Sequence, residues 1–284
     1  KQREREGALV MKTALDCVPC LLRQALEAAR FVSDDPGTHR RVVRRVLAEL
    51  SEFDLSEPPP VAAAGIHRLV REIAGVSDPY EETKRRFTAR ALEMLPELRE
   101  RLRRSDDPFA AAVRFAVAGN IVDLGVNGGL THDDVDRALS RAMAAPLDEA
   151  ALAELRRAAA RVREGGGTIL YLADNAGEIV FDRLLLEQLV GARLKVAVKG
   201  GAVINDATRR DAEQAGIGEV AEIIDTGSDT PGVVLEETGD GFREEFGRAG
   251  LVIAKGQGNY EALSEVPREV FFLLMVKCDV LASD

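Results

Sequence analysis

Asp174 and Asn175 are the residues of this sequence whose types and spacing best suit chemistry. They follow an apolar run, Thr168–Leu172, whose β-branched and aromatic composition predicts a buried strand, and they precede a segment with helical spacing. In an open α/β sheet, ligands bind in the crevice outside the carboxyl ends of the strands. A carboxylate and an amide oxygen on one turn suit a hard cation. The alternative is that both residues cap the helix that follows, because Asp and Asn are favoured there.

Polar residues follow three further predicted strands, at residues 194–198, 220–224 and 251–254. The groups at their ends are Lys199-Gly200-Gly201 with Asn205-Asp206, then Asp225-Thr226-Gly227, and finally Lys255-Gly256-Gln257-Gly258-Asn259. In a parallel sheet these ends lie at one edge, with neighbouring strands ~4.8 Å apart, so the side chains are expected to converge. The combination suits a divalent cation held by Asp oxygens and a phosphate held by lysine and backbone N–H groups. Gly256 and Gly258 would let the backbone approach that anion closely.

The elements that must position these residues divide the chain into two parts. Helices are predicted near residue 16 and at residues 38–53, 61–74, 81–103, 109–118, 133–144 and 148–164. From residue 165 onward strands alternate with helices, with a fifth strand at 271–275, which predicts an α/β fold with a mostly parallel sheet covered by helices. We therefore predict a tag-derived or disordered prefix at 1–12, a helical domain at 13–164 and an α/β metal- and phosphate-binding domain at 165–284.

Composition narrows the class of protein. The chain has 284 residues, of which 46% are hydrophobic and 30% charged, an ordinary balance for a soluble globular protein. Its net charge of −10 disfavours general affinity for nucleic acid or for an anionic membrane surface. The apolar run at residues 270–276 is far too short to span a bilayer. Three cysteines in a chain of this size argue against a disulfide scaffold and predict a reducing, cytoplasmic location.

Several sequence blocks together resemble the metal-dependent damage-control phosphatase family, formerly called domain of unknown function 89. They are Asp174-Asn175-Ala176-Gly177-Glu178, the block from Lys199 to Asn205-Asp206-Ala207-Thr208, and Lys255-Gly256-Gln257-Gly258-Asn259. The Cys17-Val18-Pro19-Cys20 segment and Ala118-Gly119-Asn120-Ile121-Val122-Asp123-Leu124-Gly125 resemble its small prokaryotic branch. The resemblance covers nearly the whole chain from Met11 onward, and it implies a helical region on a three-layer α/β/α domain.

The resemblance also implies an activity and a site. The activity is hydrolysis of phosphate monoesters of small metabolites, such as sugar phosphates or damaged phosphometabolites, with Mn²⁺, Co²⁺, Ni²⁺ or Mg²⁺. Asp174, Asn175 and Asp206 correspond to metal ligands, and Lys255 corresponds to a phosphate contact. The predicted phosphate- and substrate-binding set consists of Asn120, Lys199, Gly256, Gly258 and Asn259. The expected partner is a small phosphorylated metabolite, without nucleic acid or membrane.

Candidates for proton transfer lie on two segments. Asn120 and Asp123 are one helical turn apart, so both can face one side, and in the resembling family this segment borders the cleft. The alternative there is a plain helix end. Glu178 or Asp123 could accept the proton of an attacking water, and the sequence does not exclude direct attack by an aspartate. Asp78 and Lys84 are further candidates for lining the cleft, with an ordinary turn and helix start as the alternative.

The cysteines and histidines have no such pattern. Cys17 and Cys20 form a single CxxC without the second ligand pair that a zinc site usually needs, which leaves packing, metal-binding and redox roles open. His39, His67 and His132 have no spaced partner and are predicted at surface or cap positions.

Two other functions compete with a phosphatase. A serine hydrolase would need a GxSxG elbow, which the sequence lacks. A non-catalytic sensor or carrier of a phosphometabolite or nucleotide would use the same lysines and glycines. Only catalysis requires the metal and a poised water, so turnover with and without added metal distinguishes the sensor from the enzyme.

Overall fold

The computed structural model describes residues 11–121, 137, 140, 141, 143, 144, 146–276 and 278–282. The helices that precede the sheet are α1 (Cys17–Val32), α2 (Pro36–Glu52), α3 (Pro59–Ala74), α4 (Glu81–Arg103), α5 (Pro108–Ile121) and α6 (Glu149–Glu164). Capping aspartates start two of them, because Asp35 accepts hydrogen bonds from the first backbone N–H groups of α2 and Asp148 does so for α6. The helix predicted at 133–144 falls mostly outside the described residues. None of the helices described here is long and apolar enough to cross a bilayer.

Parallel strands alternate with helices in the rest of the described chain. In order they are β1 (Thr168–Leu172), α7 (Glu178–Gln188), β2 (Arg193–Val198), α8 (Arg209–Gln214), β3 (Glu222–Asp225), α9 (Asp240–Arg248), β4 (Leu251–Lys255), α10 (Gln257–Leu263), β5 (Phe271–Leu273) and α11 (Asp279–Ala282). The strand order is β3-β2-β1-β4-β5, and every neighbouring pair is parallel. Each predicted strand is present within two residues of its predicted bounds.

Helices cover both faces of this sheet. Successive side chains of a strand point to opposite faces, and those of β1 enter two different hydrophobic cores. Ile169 and Tyr171 pack in a core with α4, α5, α6 and α7. Leu170 and Leu172 pack on the other face with α9 and α10. The arrangement confirms the predicted three-layer α/β/α architecture.

The helical part of the chain contributes to more than one core. Helices α1, α2 and α3 form a separate core around residues such as Ala25, Val46 and Ile66. Helices α4, α5 and α6 instead share the first core with the sheet and with α7. The division at residue 165 stays a prediction, because one continuous core contains residues from both of its sides.

Candidate active site

The carboxyl ends of β1 and β2 bring Asp174, Asn175 and Asp206 together. The backbones of Asn175 and Asp206 form an isolated antiparallel bridge. Beside it, Ala207 N donates to Asp174 O over 2.7 Å, and Lys199 N donates to Ala207 O over 2.9 Å. Main-chain hydrogen bonds therefore set the spacing of the three predicted metal ligands.

Helix capping does not account for this pair of residues. The N-cap position of α7 is Gly177, at φ +77, and no side chain caps it. A Cβ at Gly177 would come within 2.9 Å of Phe87 Cβ in α4. Glycine is therefore needed for this turn to pack against α4.

The side chain of Asn175 joins two carboxylates. Its Nδ2 donates to Asp174 Oδ2 and to Glu178 Oε2, each over 2.9 Å. The amide nitrogen must be the atom on this side, because an amide oxygen would be repelled by both carboxylates. Both hydrogens of the amide are used in this way, so Asn175 Oδ1 is the atom left to accept a hydrogen bond or to bind a cation.

Burial and neighbouring carboxyl groups raise the pKa values of Asp174 and Asp206 in this cluster. Burial raises the pKa of Asp174 well above its ordinary value, and the neighbouring Glu178 and Asp206 carboxylates raise it further. Burial also raises the pKa of Asp206 to about 6, although Lys199 opposes the shift. Lys199 Nζ lies 3.5 Å from Asp206 Oδ2, at the outer limit of a hydrogen bond, and donates to Gly232 O. Within the described residues the buried Asp206 Oδ2 has no hydrogen-bond partner of good geometry.

Lys255, the last residue of β4, is fully buried beneath the cluster. Its Nζ donates to Ala116 O over 2.7 Å, to Asp182 Oδ1 over 2.8 Å and to Glu178 Oε1. Burial alone would lower the pKa of Lys255, but the Asp182 and Glu178 carboxylates raise it overall. Three acceptors match the three hydrogens of an ammonium group, so a phosphate would have to displace one of them. The phosphate contact of Lys255 stays a prediction.

The turn after β4 approaches the Asp174 carboxylate closely. Gly256 has φ +79 and ψ 166, a region of backbone conformation that only glycine occupies readily. A Cβ at this position would overlap the Asp174 carboxylate. Asn259 is fully buried, and its Nδ2 donates to Lys255 O over 2.7 Å, which holds the turn in place.

The other predicted residues lie apart from the cluster or outside the described side chains. Asp225 is exposed at the end of β3 and pairs with an arginine of α8. Gly258 packs against the backbone of Gly232. The side chain of Asn120 and the whole of Asp123 lie outside the described residues. The roles of these residues in phosphate binding and proton transfer stay predictions.

Asp182 is part of the buried network, although it was not among the site residues predicted from the sequence. It lies four residues after Glu178, on the same face of a helix whose side chains are buried from Glu178 through Leu186. A carboxylate at that spacing within a buried apolar helix is the signal that could have revealed it. Its partner, Lys255, is 73 residues away in sequence and could not be identified without the fold.

The titration of Asp182 should be visible in the stability of the metal-free protein. Burial raises the pKa of Asp182 from 3.8 to about 7, although Lys255 opposes the shift. Between these two values the folded state binds more protons than the unfolded state, so this group's contribution to stability falls as pH rises, by at most about 1.4 kcal/mol per pH unit. Asp182→Asn should lack this fall. Urea unfolding of both proteins from pH 4 to 8 measures the difference, and parallel pH profiles would contradict the assignment.

Lys84 connects the helical region to the segment that carries Asp206. It is buried in α4 and forms ion pairs with Asp78 over 2.7 Å and with Asp211 over 3.0 Å. Asp211 also accepts hydrogen bonds from the backbone N and the Oγ1 of Thr208, which caps α8. The contribution of Asp78 and Lys84 to a cleft stays a prediction. Their ion pairs hold the start of α8, which follows Asp206 in the sequence, against α4.

Replacing Lys84 with methionine should destabilise the protein by about 3–5 kcal/mol, because it leaves the buried Asp211 and the half-buried Asp78 without their cation. Arg85→Ala, the next residue of α4, is the matched control, since its ion pair with Glu82 is exposed and worth at most about 1 kcal/mol. Urea unfolding monitored by circular dichroism compares the two variants. Equal unfolding free energies would show that the buried ion pairs contribute nothing.

One surface prediction is wrong. His67 is only 3% exposed in α3, and burial lowers its pKa to about 4, so the ring is neutral at pH 7. It packs edge-on against Tyr80, because α3 and the start of α4 enclose it. His39 is half-buried and contacts Ser33 O over 2.6 Å, and His132 lies outside the described residues. Cys17 is half-buried and Cys20 exposed, both as thiols, and their role stays open.

A known family matches this sequence and geometry. The damage-control phosphatase ARMT1-like domain matches residues 13–284. The chain belongs to this family. Its membership confirms the resemblance that was drawn from the strand-end residues, and it covers all of the elements described above.

Relatives of this chain in the family carry informative names. The chain is 36% identical to a damage-control phosphatase of Archaeoglobus fulgidus, over 96% of this chain and 95% of the relative. It is 31% identical to the damage-control phosphatase PH1575 of Pyrococcus horikoshii, over 96% and 94%. The crystal structure of that Pyrococcus protein, described as a duf89 family protein, superposes with a TM-score of 0.86 over 96% of this chain and 94% of the other, at 30% identity. These names support a phosphatase role.

Proposed function

We propose that this chain is a divalent-metal-dependent phosphatase that hydrolyses phosphate monoesters of small metabolites, such as sugar phosphates or damaged phosphometabolites. The observation that carries the proposal is the cluster of the half-buried Asp174 and Asn175 with the buried Asp206, held by a backbone bridge at the carboxyl ends of β1 and β2. In a parallel α/β sheet this is where ligands bind. The names of the relatives support the phosphatase part of the proposal.

The donor set fits a hard divalent cation, and Mn²⁺, Co²⁺, Ni²⁺ and Mg²⁺ are the candidates. Asp174 and Asp206 would supply carboxylate oxygens, and Asn175 would supply Oδ1. Across the described residues no three His, Cys, Asp or Glu side chains gather as a metal site would require, which supports the amide oxygen as a third protein ligand. Asp206 Oδ2 is buried and has no hydrogen-bond partner in the part of the chain that the structure describes, which suits such a role. A bound cation would supply Lewis acidity toward a phosphoryl oxygen.

Lys199 is the basic side chain beside the cluster that could bind a phosphate. Lys199 is buried beside Asp206, and its ammonium could turn toward a phosphate oxygen at the loss of one hydrogen bond to a backbone carbonyl. Charge-assisted hydrogen bonds of this kind are about twice as strong as neutral ones. The identity of the attacking group, water or aspartate, and the cytoplasmic location remain predictions from the sequence.

Release of inorganic phosphate tests the proposal. The protein is stripped with a chelator and incubated with an aryl phosphate and a panel of sugar phosphates, with each of the four metals added in turn. We expect phosphate release only when metal is present. Binding of a sugar phosphate without any release, with every metal, would instead favour a sensor and would contradict the proposal.

A further inference from the structure

Glu178 is one of the residues that could accept a proton from an attacking water, but its contacts point to another role. We infer that Glu178 is a positioning residue that orients the Asn175 amide so that Oδ1 can bind a divalent cation, and that it does not act as the base. This inference rests on the proposed function, because it assumes a cation at Asp174, Asn175 and Asp206.

Both oxygens of Glu178 are engaged within the protein. Oε1 accepts a hydrogen bond from Lys255 Nζ, and Oε2 accepts one from Asn175 Nδ2 over 2.9 Å. The residue is 4% exposed, in the first turn of α7. A general base must lie within hydrogen-bond reach of the proton that it removes. A carboxylate that is buried and already bonded to an ammonium and an amide is poorly placed to do so.

The orientation of the Asn175 amide follows from its neighbours. An amide can present either its nitrogen or its oxygen to a given side, and the hydrogen-bond partners decide which. Asp174 and Glu178 both accept from Nδ2, which fixes Oδ1 away from them. Asp174 alone would fix one hydrogen of the amide, and Glu178 fixes the second.

Lys255 holds Glu178 in place and is itself held by two other groups. Lys255 Nζ is anchored by Ala116 O over 2.7 Å and by Asp182 Oδ1 over 2.8 Å, so it presents its remaining hydrogen to Glu178. The contacts form a chain from the fully buried Asp182 through Lys255 and Glu178 to Asn175. Groups that orient metal ligands in this way typically change metal affinity about 10–100-fold when they are mutated.

The test replaces Glu178 with glutamine and measures Mn²⁺ affinity by calorimetry, separately from turnover at saturating Mn²⁺. A positioning role predicts a 10–100-fold weaker Mn²⁺ affinity, with turnover largely recovered at saturating metal. A base would behave in the opposite way, with unchanged affinity and turnover about 10²–10⁴-fold lower. Glu187→Gln is the matched control, because Glu187 lies on the same helix but pairs with Arg99 and Arg183 instead.

A second variant, Asp182→Asn, tests the same chain of contacts at its other end. Asp182 accepts a hydrogen bond from Lys255, which also donates to Glu178, so the variant acts on the Asn175 amide through those two side chains. We expect a weaker Mn²⁺ affinity, with turnover largely recovered at saturating Mn²⁺. An unchanged Mn²⁺ affinity in the folded variant would contradict the role given to this chain of contacts.

The outcomes separate this inference from the function on which it rests. If the wild type neither binds Mn²⁺ nor releases phosphate, the proposed function itself is wrong. If the wild type does both while Glu178→Gln keeps its affinity and loses turnover, the inference is overturned. Should Glu178→Gln fail to fold, Asp182→Asn decides alone. An Asp182→Asn protein that keeps the wild-type Mn²⁺ affinity counts against the inference.

Discussion

Asp174→Ala should remove bound metal and lower phosphate release by at least about 10³-fold. Losing the cation removes several kcal/mol of transition-state stabilisation, and each 1.36 kcal/mol is about a factor of ten in rate. The Asp174 carboxylate lies between Asn175 and the turn at Gly256, and it accepts a hydrogen bond from Asn175 Nδ2 over 2.9 Å. Metal content and turnover are measured on the same purified protein.

Loss of activity in Asp174→Ala should not come from unfolding. Burial and neighbouring carboxylates raise the pKa of Asp174, so near neutral pH its charge opposes folding in the metal-free protein. The metal-free variant should therefore be at least as stable as the metal-free wild type. Asp225→Ala is the matched control, since that exposed carboxylate lies at the same sheet edge but outside the cluster. Full metal occupancy with wild-type turnover in Asp174→Ala would end the proposal.

Gly256→Ala should combine a loss of stability with a loss of metal. The backbone conformation at φ +79 and ψ 166 costs a residue with a side chain about 1–3 kcal/mol. The added methyl group would also push the Asp174 carboxylate from its place, which should weaken metal affinity by at least about 100-fold. Urea unfolding of the metal-free variant isolates the first effect, and calorimetry with Mn²⁺ measures the second.

The control for Gly256→Ala is Gly247→Ala in α9. A Cβ at Gly247 meets no atom within 4 Å, so alanine there should stabilise the helix by about 0.5–1 kcal/mol without affecting metal. If Gly256→Ala bound Mn²⁺ with the affinity of the wild type, the close approach of this turn to Asp174 would not be needed for metal binding.

The strand ends could be predicted because their signals are local. The run at Thr168–Leu172 is buried on both faces of the sheet, so its apolar composition marks the strand directly. The parallel arrangement then follows from the alternation of strands and helices, and it places Asp174, Asn175 and Asp206 at one edge. Local pattern was sufficient for the fold and for the backbone position of these residues.

The contacts of the side chains could not be predicted in the same way. Lys255 follows a buried strand like the other candidates, but its three acceptors come from α5 and α7, at positions far away in sequence. His67 belongs to an apolar helix, and its burial depends on the start of α4, which lies over it. Such contacts result from tertiary packing, which overrides the average preference of a residue type for the surface.

The backbone bridge between Asn175 and Asp206 has a consequence for sequence divergence. Main-chain hydrogen bonds exist whatever side chains surround them, so the distance between the two loops does not depend on the residues that would meet a substrate. Those residues can therefore change between related sequences while the spacing of Asn175 and Asp206 stays the same. Under the proposed function, such a scaffold could accept a different substrate without a change in the spacing of its metal ligands.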